Sequence, residues 1–450
     1  MQVQVGLDDG SHYNFEYNSS GQVNVIRSYR SDNVQRAYTA FNYESPAADC
    51  PRLFATRVWA ENWTGLNGVP AEVVTQYSTP GDGSCMMVAP DGTTYKEFYG
   101  SGWQKGLTTQ SEIWSGGVRQ KWTTTAWTQD NTGVNYQTNP RVTETNVYDA
   151  AGNRRRTTID YGSYAPYGLP NAVVEYAADG VTLLRVTYTD YNLSQAYLDR
   201  HIIGLVSAVH VSDGAWQSKI TYEYDWDNAT NTYLVNQGAA TQHDGANYGQ
   251  SFIYGRGNLC AVRRWNVTAI TDWNQAKWVS FTGYNTTGSL IMSADGLGYE
   301  TRFGYADSFS DGNNTRGTLA YPSTVTDADG FSSSLQYNFD FGAKTRAQGP
   351  PPAGQSQGAI QTISYDAAAR AQQVTTVNSG AYTRYVYGPN YVQSFSSVNT
   401  IADDAYAIQV FDGAGRVIGA ANNHPGSSGG YSMVNTIYDL MGRAVKRSNP

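Results

Sequence analysis

A short motif that recurs from residue 17 to residue 443 constrains the fold of this chain more than any other feature. In each clear copy an aromatic residue ends a β-like run, Asp or Asn follows it, and glycine stands three residues after that. The clear copies are Tyr17-Asn18-Ser19-Ser20-Gly21, Tyr148-Asp149-Ala150-Ala151-Gly152, Tyr284-Asn285-Thr286-Thr287-Gly288, Phe411-Asp412-Gly413-Ala414-Gly415-Arg416 and Tyr438-Asp439-Leu440-Met441-Gly442-Arg443. Looser copies begin at Tyr176 (with Gly180), Tyr224 (with Asp225), Tyr254, Tyr337, Tyr365 (with Asp366) and Tyr387. A chain built in this way is a repeat protein.

The residue types in the motif are those that a type I turn prefers. Asp or Asn at the first position accepts a hydrogen bond from the backbone two residues on, and glycine at the fourth position adopts a positive φ. A left-handed glycine directly after a type I turn gives a bulged hairpin whose twist suits two antiparallel strands. Each copy, including those at Tyr224 and Tyr254, is therefore predicted to be a hairpin tip between two strands.

The spacing of the motif predicts stacked units rather than separate domains. Tyr224, Tyr254 and Tyr284 are 30 residues apart, and a unit of that size holds two strands and two turns. Units of this length cannot bury an apolar face alone, so neighbouring units must stack. We expect one continuous sheet with two regions, a tryptophan-rich β region with irregular turns over residues 1–140 and the repeat array over residues 141–450.

The composition favours an all-β chain and argues against several classes of partner. The 35 tyrosines and 11 tryptophans suit sheets, and no long segment has helical periodicity. A net charge of −8 does not suit a nucleic-acid partner, and no apolar run is long enough for a membrane span. The first residues lack the pattern of a signal peptide. The last residues follow a hairpin tip directly, and an array with no capping unit at either end would expose sheet edges, so we expect a piece of a longer protein.

No residue pattern predicts a catalytic residue, a metal site or a bound cofactor. Gly426-Ser427-Ser428-Gly429-Gly430 has the Gly-x-Ser-x-Gly spacing of hydrolase nucleophile turns, but a low-complexity loop is the favoured interpretation. The acidic clusters that begin at Asp225 and Asp307 could hold calcium or could cap their own turns. Cys50 and Cys85 could form a disulfide in an oxidising compartment, or the three cysteines could be isolated thiols.

Further phrases carry a family resemblance: Tyr197-Leu198-Asp199-Arg200-His201-Ile202-Ile203-Gly204-Leu205, Arg256-Gly257-Asn258-Leu259 and the closing stretch from Tyr438 to Pro450. With the motif copies, they resemble bacterial Rhs proteins, also called YD-repeat proteins, and the resemblance is strong from residue 141 onward. It implies an all-β fold in which an array of antiparallel β-hairpins spirals into a hollow shell, here a partial cocoon. Many shells of that family enclose a variable C-terminal toxin, and the teneurins are their eukaryotic relatives. The Asp-Pro-x-Gly boundary that ends the shell in toxin members is absent, so the toxin is expected outside this chain.

The resemblance therefore implies a structural segment without catalytic activity, secreted or displayed on a bacterial surface. Its expected partner is its own or a tethered C-terminal toxin or effector domain, and a secretion-system component is a further candidate. The alternative is a surface adhesin that binds glycans or a protein through exposed aromatic side chains. The candidate aromatics are Trp59, Trp63, Trp103, Trp114, Trp122 and Trp127.

Overall fold

The computed structural model describes residues 1–7, 10–44, 52–61, 72–225, 233–235, 240–398, 402–403, 405–439 and 442–450. Strands hold 52% of the residues and helices 5%. The all-β prediction is therefore confirmed. No helix among the described residues combines the length and the apolar character needed to cross a lipid bilayer.

The strands are short and follow one another closely along the chain. The first sixteen are β1 (Gln2–Gly6), β2 (His12–Tyr17), β3 (Val23–Tyr29), β4 (Gln35–Glu44), β5 (Arg52–Ala60), β6 (Val73–Ser78), β7 (Ser84–Val88), β8 (Thr94–Tyr99), β9 (Thr108–Ser115), β10 (Val118–Thr128), β11 (Arg141–Asp149), β12 (Arg154–Asp160), β13 (Ala172–Tyr176), β14 (Leu183–Tyr191), β15 (Val206–Ser212) and β16 (Trp216–Tyr224). The others are β17 (Leu234–Val235), β18 (Leu259–Trp265), β19 (Ala276–Asn285), β20 (Leu290–Asp295), β21 (Glu300–Gly304), β22 (Thr324–Thr326), β23 (Ser332–Tyr337), β24 (Lys344–Gln348), β25 (Ile360–Tyr365), β26 (Ala371–Thr376), β27 (Tyr382–Tyr387), β28 (Tyr391–Ser396), β29 (Ala405–Phe411), β30 (Val417–Asn423), β31 (Tyr431–Tyr438) and β32 (Ala444–Arg447). The helices are α1 (Gln195–Leu198), α2 (Gly245–Tyr248) and three 3₁₀ turns at Gly102–Gln104, Gly162–Tyr167 and Trp273–Gln275.

The described residues form two compact units. Unit 1 comprises Met1–Phe98, Ser111–Gln120 and Ile360–Pro450, and unit 2 comprises Tyr99–Gln110 and Lys121–Ala359. Within unit 1, β1 to β8 pair consecutively in antiparallel fashion, and so do β25 to β32. Within unit 2 the same meander runs from β11 to β16 and from β18 to β24, while β17 lies parallel to β19.

Most motif aromatics lie at a β-bulge at the end of a strand. In the β29–β30 pair, for example, the register shifts between Val410 and Phe411, so Phe411 lies opposite Val417. A bulge increases the local twist and bends the strand, which suits a chain that must reverse after each tip. The other motif aromatics at such a shift are Tyr17, Tyr176, Tyr224, Tyr284, Tyr337, Tyr365 and Tyr438.

Each unit contains a small cluster of buried apolar side chains among its described residues. The buried cluster of unit 1 contains Ala60 and Val73. The buried cluster of unit 2 contains Tyr233, Leu234 and Cys260. Because these clusters are small, we expect cross-strand pairs and the hairpin tips to supply much of the stability.

One tip has alanine where the motif normally has glycine, and this gives a test of the turn geometry. Ala369 has a positive φ of 56° and donates its N–H to Asp366 O at 3.0 Å, as the motif glycines do at the other tips. We expect Ala369→Gly to stabilise the protein by about 0.5–1 kcal/mol, because a left-handed backbone is strained for alanine. The check is the urea midpoint of unfolding, with Ala368→Gly in the same tip as the control. Equal shifts in both variants would contradict the turn assignment.

Candidate functional site

The tip after β29 shows how the motif residues act together. Gly415 has a φ of 79° and donates its N–H to Asp412 O at 3.0 Å. One oxygen of the Asp412 carboxylate accepts the N–H groups of Ala414 and Arg416, both at 2.9 Å. The other oxygen accepts Arg416 Nε at 2.7 Å. Aspartate therefore closes the turn, glycine supplies the left-handed backbone, and arginine neutralises the aspartate.

The other clear copies, and the looser copy at Tyr365, form tips with the same backbone bonds. The carboxylates of Asp149, Asp366 and Asp439 and the carboxamides of Asn18 and Asn285 each accept the N–H group four residues on. The positive-φ glycines of these tips are Gly21, Gly152, Gly288 and Gly442. The looser copies at Tyr176, Tyr337 and Tyr387 also lie at hairpin connections, with Gly180 and Gly342 at positive φ and a shorter loop after Tyr387.

A tyrosine–arginine contact links each of two tips to a later one. The Arg416 guanidinium lies 4.7 Å from the ring centroid of Tyr438, and the Tyr438 hydroxyl donates to Val417 O at 3.0 Å. The same arrangement joins Arg370, Tyr387 and Ala371. The tyrosine at one hairpin tip therefore lies over the arginine of an earlier tip, and its hydroxyl donates a hydrogen bond to the backbone carbonyl of the residue after that arginine. We call this pair of contacts the latch.

Several residues that act in the same way were missed in the sequence. The hydroxyls of Tyr43, Tyr161, Tyr191 and Tyr305 each donate to a backbone carbonyl 15 to 21 residues earlier. The tips at Asp295 and Asp327 have the motif bonds but carry their aromatic residue after the glycine, at Tyr299 and Phe331. The four tyrosines that donate to an earlier carbonyl could have been found by a search for a tyrosine near a strand end, about one repeat after each tip.

Acid should weaken the tips, because their aspartates are better hydrogen-bonded when ionised. The Thr182 hydroxyl and the N–H groups of Val181 and Thr182 lower the pKa of Asp179 to about 2. A pKa below the ordinary 3.8 means that this stabilisation is present above pH 3.8 and is lost as the pH falls towards 2. We therefore expect the thermal midpoint to fall over this range, and the difference between wild type and Asp179→Asn to shrink. A difference that is the same at both ends of the range would contradict the prediction.

Two of the predicted tips are wrong. Tyr224 ends β16, but the strand that pairs with β16 is β18, which begins only at Leu259. Asp225 is fully buried at a φ of 49° rather than exposed at a turn. Tyr254 lies in an irregular segment outside any strand and is 54% exposed. The short-range pattern was present at both places, but β16 pairs with β18 and not with a strand directly after Tyr224, and Tyr254 does not connect two paired strands.

Asp225 is the centre of a buried polar site in unit 2. Its Oδ2 accepts the N–H groups of Arg256 and Gly257, both at 2.8 Å, and its Oδ1 accepts the N–H of Asn258 at 3.0 Å. The Tyr233 hydroxyl lies 3.1 Å from Oδ1. A buried carboxylate with this many donors is satisfied without a counter-ion. It thereby fixes the loop at residues 256–258 to the end of β16.

The two sequence segments that carry the family resemblance, residues 197–205 and residues 256–259, come together at this site. Burial, together with the Asp225 carboxylate, raises the pKa of the Tyr197 hydroxyl, and the same causes raise the pKa of Tyr233. A Cβ atom on Gly257 would lie 3.6 Å from Ile202 Cγ2 and 3.9 Å from Leu205 Cδ1, so the two loops are in close contact. The loop of residues 197–205 and the loop of residues 254–258 therefore pack against each other. Their meeting could not be inferred from the two phrases separately.

Arg256 extends the site to a third segment. Its guanidinium donates to the carbonyl oxygens of Phe252, Tyr248, Gly249 and Thr286. Four backbone carbonyls solvate the charge, and they come from α2, the loop after it and the tip after β19. A cavity of about 410 Å³ lies beside this guanidinium.

In the sequence motifs considered for catalysis or calcium binding, the described polar side chains bond to nearby residues of the chain. Residues 426–430 form the connection between β30 and β31, where the Ser427 hydroxyl donates to His424 O and Tyr431 O, without the strand-to-helix turn of a nucleophile elbow. Asp307 accepts Thr318 N and Oγ1, and Asp311 pairs with Arg316. Trp226, Asp227 and Asn228 of the other acidic cluster lie outside the described residues.

The cysteines and tryptophans can be placed in part. Cys260 is buried and donates to Asn258 O, and Cys85 is an exposed free thiol; Cys50 lies outside the described residues. Of the six candidate tryptophans, Trp63 lies outside the described residues and the other five are half-buried. Trp122, for example, stacks on Tyr148 with ring centroids 4.7 Å apart.

No family model and no curated protein matches the chain. The crystal structure of TcdB2-TccC3-Cdc42 aligns over 97% of this chain with 11% identity and a TM-score of 0.40. The structure of TcdB2-TccC3 without its hypervariable C-terminal region gives 97%, 12% and 0.39. This chain covers only 23% and 22% of those two chains. A porin-like protein from Bacteroides uniformis aligns over 58% of this chain and 86% of its own length, with 13% identity and a TM-score of 0.23. Similarity at this level does not assign the chain to a family.

Proposed function

We propose that this chain is a non-catalytic wall segment of an Rhs-type shell, and that the shell encloses a C-terminal toxin or effector domain outside the chain. The wall would be secreted or displayed on a bacterial surface. The enclosed domain is its main partner, and a secretion-system component is a secondary one. The proposal rests on the repeat motif and on the contacts that the motif residues form between hairpin tips.

The latch is the observation that carries the proposal. At Arg370–Tyr387 and Arg416–Tyr438, charged and aromatic side chains are used to fasten one unit to another. A wall needs such fastening, because a single sheet layer has little core to hold its units together. At these two tips the arginine also pairs with the aspartate of the turn, Arg370 with Asp366 and Arg416 with Asp412, and this supports a structural role.

The adhesin alternative has weaker support. The five described tryptophans of the region around Trp59 to Trp127 are half-buried, and Trp114 and Trp127 use their indole N–H groups in internal hydrogen bonds. Aromatic side chains with more exposure occur elsewhere, such as Trp273 at 60%. These are scattered along the chain, so they do not by themselves mark a binding surface.

The test is protection of the segment that the wall would enclose. We would express the chain together with the coding sequence that follows it in its gene and digest the product with trypsin. The downstream segment should survive while the wall is folded and should be degraded when it is expressed alone. Equal rates of cleavage with and without the wall, or a reading frame that ends at Pro450, would contradict the proposal. A glycan array with wild type and Trp273→Ala would then test the adhesin.

A further inference from the structure

The cavity beside Arg256 has the lining of an anion-binding site. It has a volume of about 410 Å³, within the usual range for small-molecule sites, and lies between the two family-like loops and the tip after β19. Its lining includes Arg200, Tyr248, Phe252, Arg256, Asn258 and Thr287. Positively charged groups, amide groups and aromatic rings therefore share one concave surface.

Two guanidinium groups line this cavity, and neither forms an ion pair with a carboxylate of the described residues. The Arg200 guanidinium stacks on the Phe252 ring, 3.9 Å from its centroid, and Arg200 is otherwise exposed. The donors of Arg256 go to neutral carbonyls. Two unpaired cations on one wall repel each other, and an anion between them would relieve that repulsion.

The nearby acidic side chains are already engaged. Asp225 accepts backbone N–H groups and a tyrosine hydroxyl. Asp199 accepts Gln195 Nε2 at 2.5 Å, and Asp244 accepts the N–H and the side chain of Asn247. These carboxylates keep their negative charges, but their oxygens bond to other groups and not to the Arg200 or Arg256 guanidinium.

Two buried amide groups point to the same class of ligand. The side-chain nitrogens of Asn258 and Asn285 are buried and have no hydrogen-bond partner. Asn258 lines the cavity, and Asn285 is fully buried directly before Thr286, which also lines it. Buried polar atoms are normally satisfied, and because these two nitrogens have no accessible surface, a ligand in the cavity could reach the Asn258 nitrogen only after that side chain rotates.

We propose that this cavity binds a small molecule with a carboxylate or sulfate group, placed at the Arg200 guanidinium and beside Arg256, with the rest of the ligand against Tyr248. Arginine and amide donors match the oxygens of such groups, and the half-exposed Tyr248 ring offers a flat face to a sugar or other ring. This binding is independent of any enclosed domain. Its failure would therefore leave the proposed wall function standing.

The test is calorimetric titration of the full chain with sodium sulfate and with sodium glucuronate, in a chloride buffer free of other oxyanions. We expect saturable binding of at least one probe and a loss of at least tenfold in affinity in Arg200→Gln. Arg264→Gln is the matched control, because Arg264 is an exposed arginine on β18 of the same unit and should bind as wild type does. Asn258→Asp, which places a negative charge on the same wall with little change of shape, should also lose affinity.

The two probes distinguish the sources of the anionic group. Equal affinity for sulfate and glucuronate would indicate that only the anionic group is recognised. Tighter binding of glucuronate, reduced by Tyr248→Ala, would indicate a sugar acid. No saturable binding of either probe at tens of millimolar would overturn the proposal, and so would binding that Arg200→Gln leaves unchanged while circular dichroism shows that the variant is folded.

Discussion

Asp225→Asn is expected to lower the free energy of unfolding by about 3–5 kcal/mol. The carboxylate accepts three backbone N–H groups and faces the Tyr233 hydroxyl, so both of its oxygens are in use. Asparagine has one acceptor oxygen, and its amide group would meet an N–H donor in place of the other oxygen. Because the site is fully buried, water cannot satisfy the groups that are left over. Urea unfolding followed by circular dichroism measures the loss.

Asp149→Asn is the matched control for this change. Asp149 closes an exposed tip, and the same tip is built with asparagine at Asn18 and Asn285. Its acceptor oxygen is retained in the variant, so the effect should stay below about 1 kcal/mol. Similar losses in both variants would show that Asp225 has no special role in joining the loops. A variant at Asp225 as stable as wild type would also contradict the assignment.

The hairpin tips could be predicted from the sequence because their causes are local. In Tyr438-Asp439-Leu440-Met441-Gly442, the aspartate, the glycine and the strand end lie within five residues, and each type has a separate preference for its place. The antiparallel pairing follows directly from such turns. The all-β fold class therefore needed no long-range information.

The Asp225 site could not be predicted, because its partners are about 30 residues away and act through backbone N–H groups. Any residue can supply an N–H group, so Arg256, Gly257 and Asn258 show no pattern that marks them as partners of an aspartate. In the sequence, the pair Tyr224-Asp225 therefore has the pattern of a hairpin tip. What decides the outcome is burial, which is set by α1 and the loop after α2, and not by the pair itself.

The latches could be predicted less well than the hairpin tips but better than the Asp225 site. Their tyrosines and arginines belong to the motif, so the residues are visible in the sequence, but the partner of each tyrosine is set by how units stack. Tyr438 reaches Val417, which follows the tip of the previous unit, and Tyr387 reaches Ala371 in the same way. A carbonyl acceptor has no sequence signature. The regular offset from one tip to the next is what could have predicted the contact.

Gly413→Ala is expected to destabilise unit 1 by about 2–4 kcal/mol, because the tip after β29 docks closely against the end of β5 and forms a backbone hydrogen bond there. Gly413 donates its N–H to Glu61 O at 2.9 Å. A Cβ atom on Gly413 would lie 2.2 Å from Arg36 O and 2.6 Å from Glu61 N. Neither atom belongs to a flexible side chain, so the backbones must separate and the hydrogen bond is lost. The urea midpoint reports the loss, and amide exchange at Glu61 and Gly413 shows where it occurs.

Gly426→Ala separates this docking effect from the general cost of adding a methyl group. The nearest atom to a Cβ at Gly426 is His424 Nε2 at 4.0 Å, and the φ of Gly426 is not positive. That variant should change stability by less than about 0.5 kcal/mol. Equal midpoints for the two variants would mean that the tip of residues 412–416 is not seated on the end of β5. A large loss confined to Gly413→Ala would instead show that residues more than 350 positions apart are held together by a glycine, because glycine is the one residue whose backbone can approach this closely.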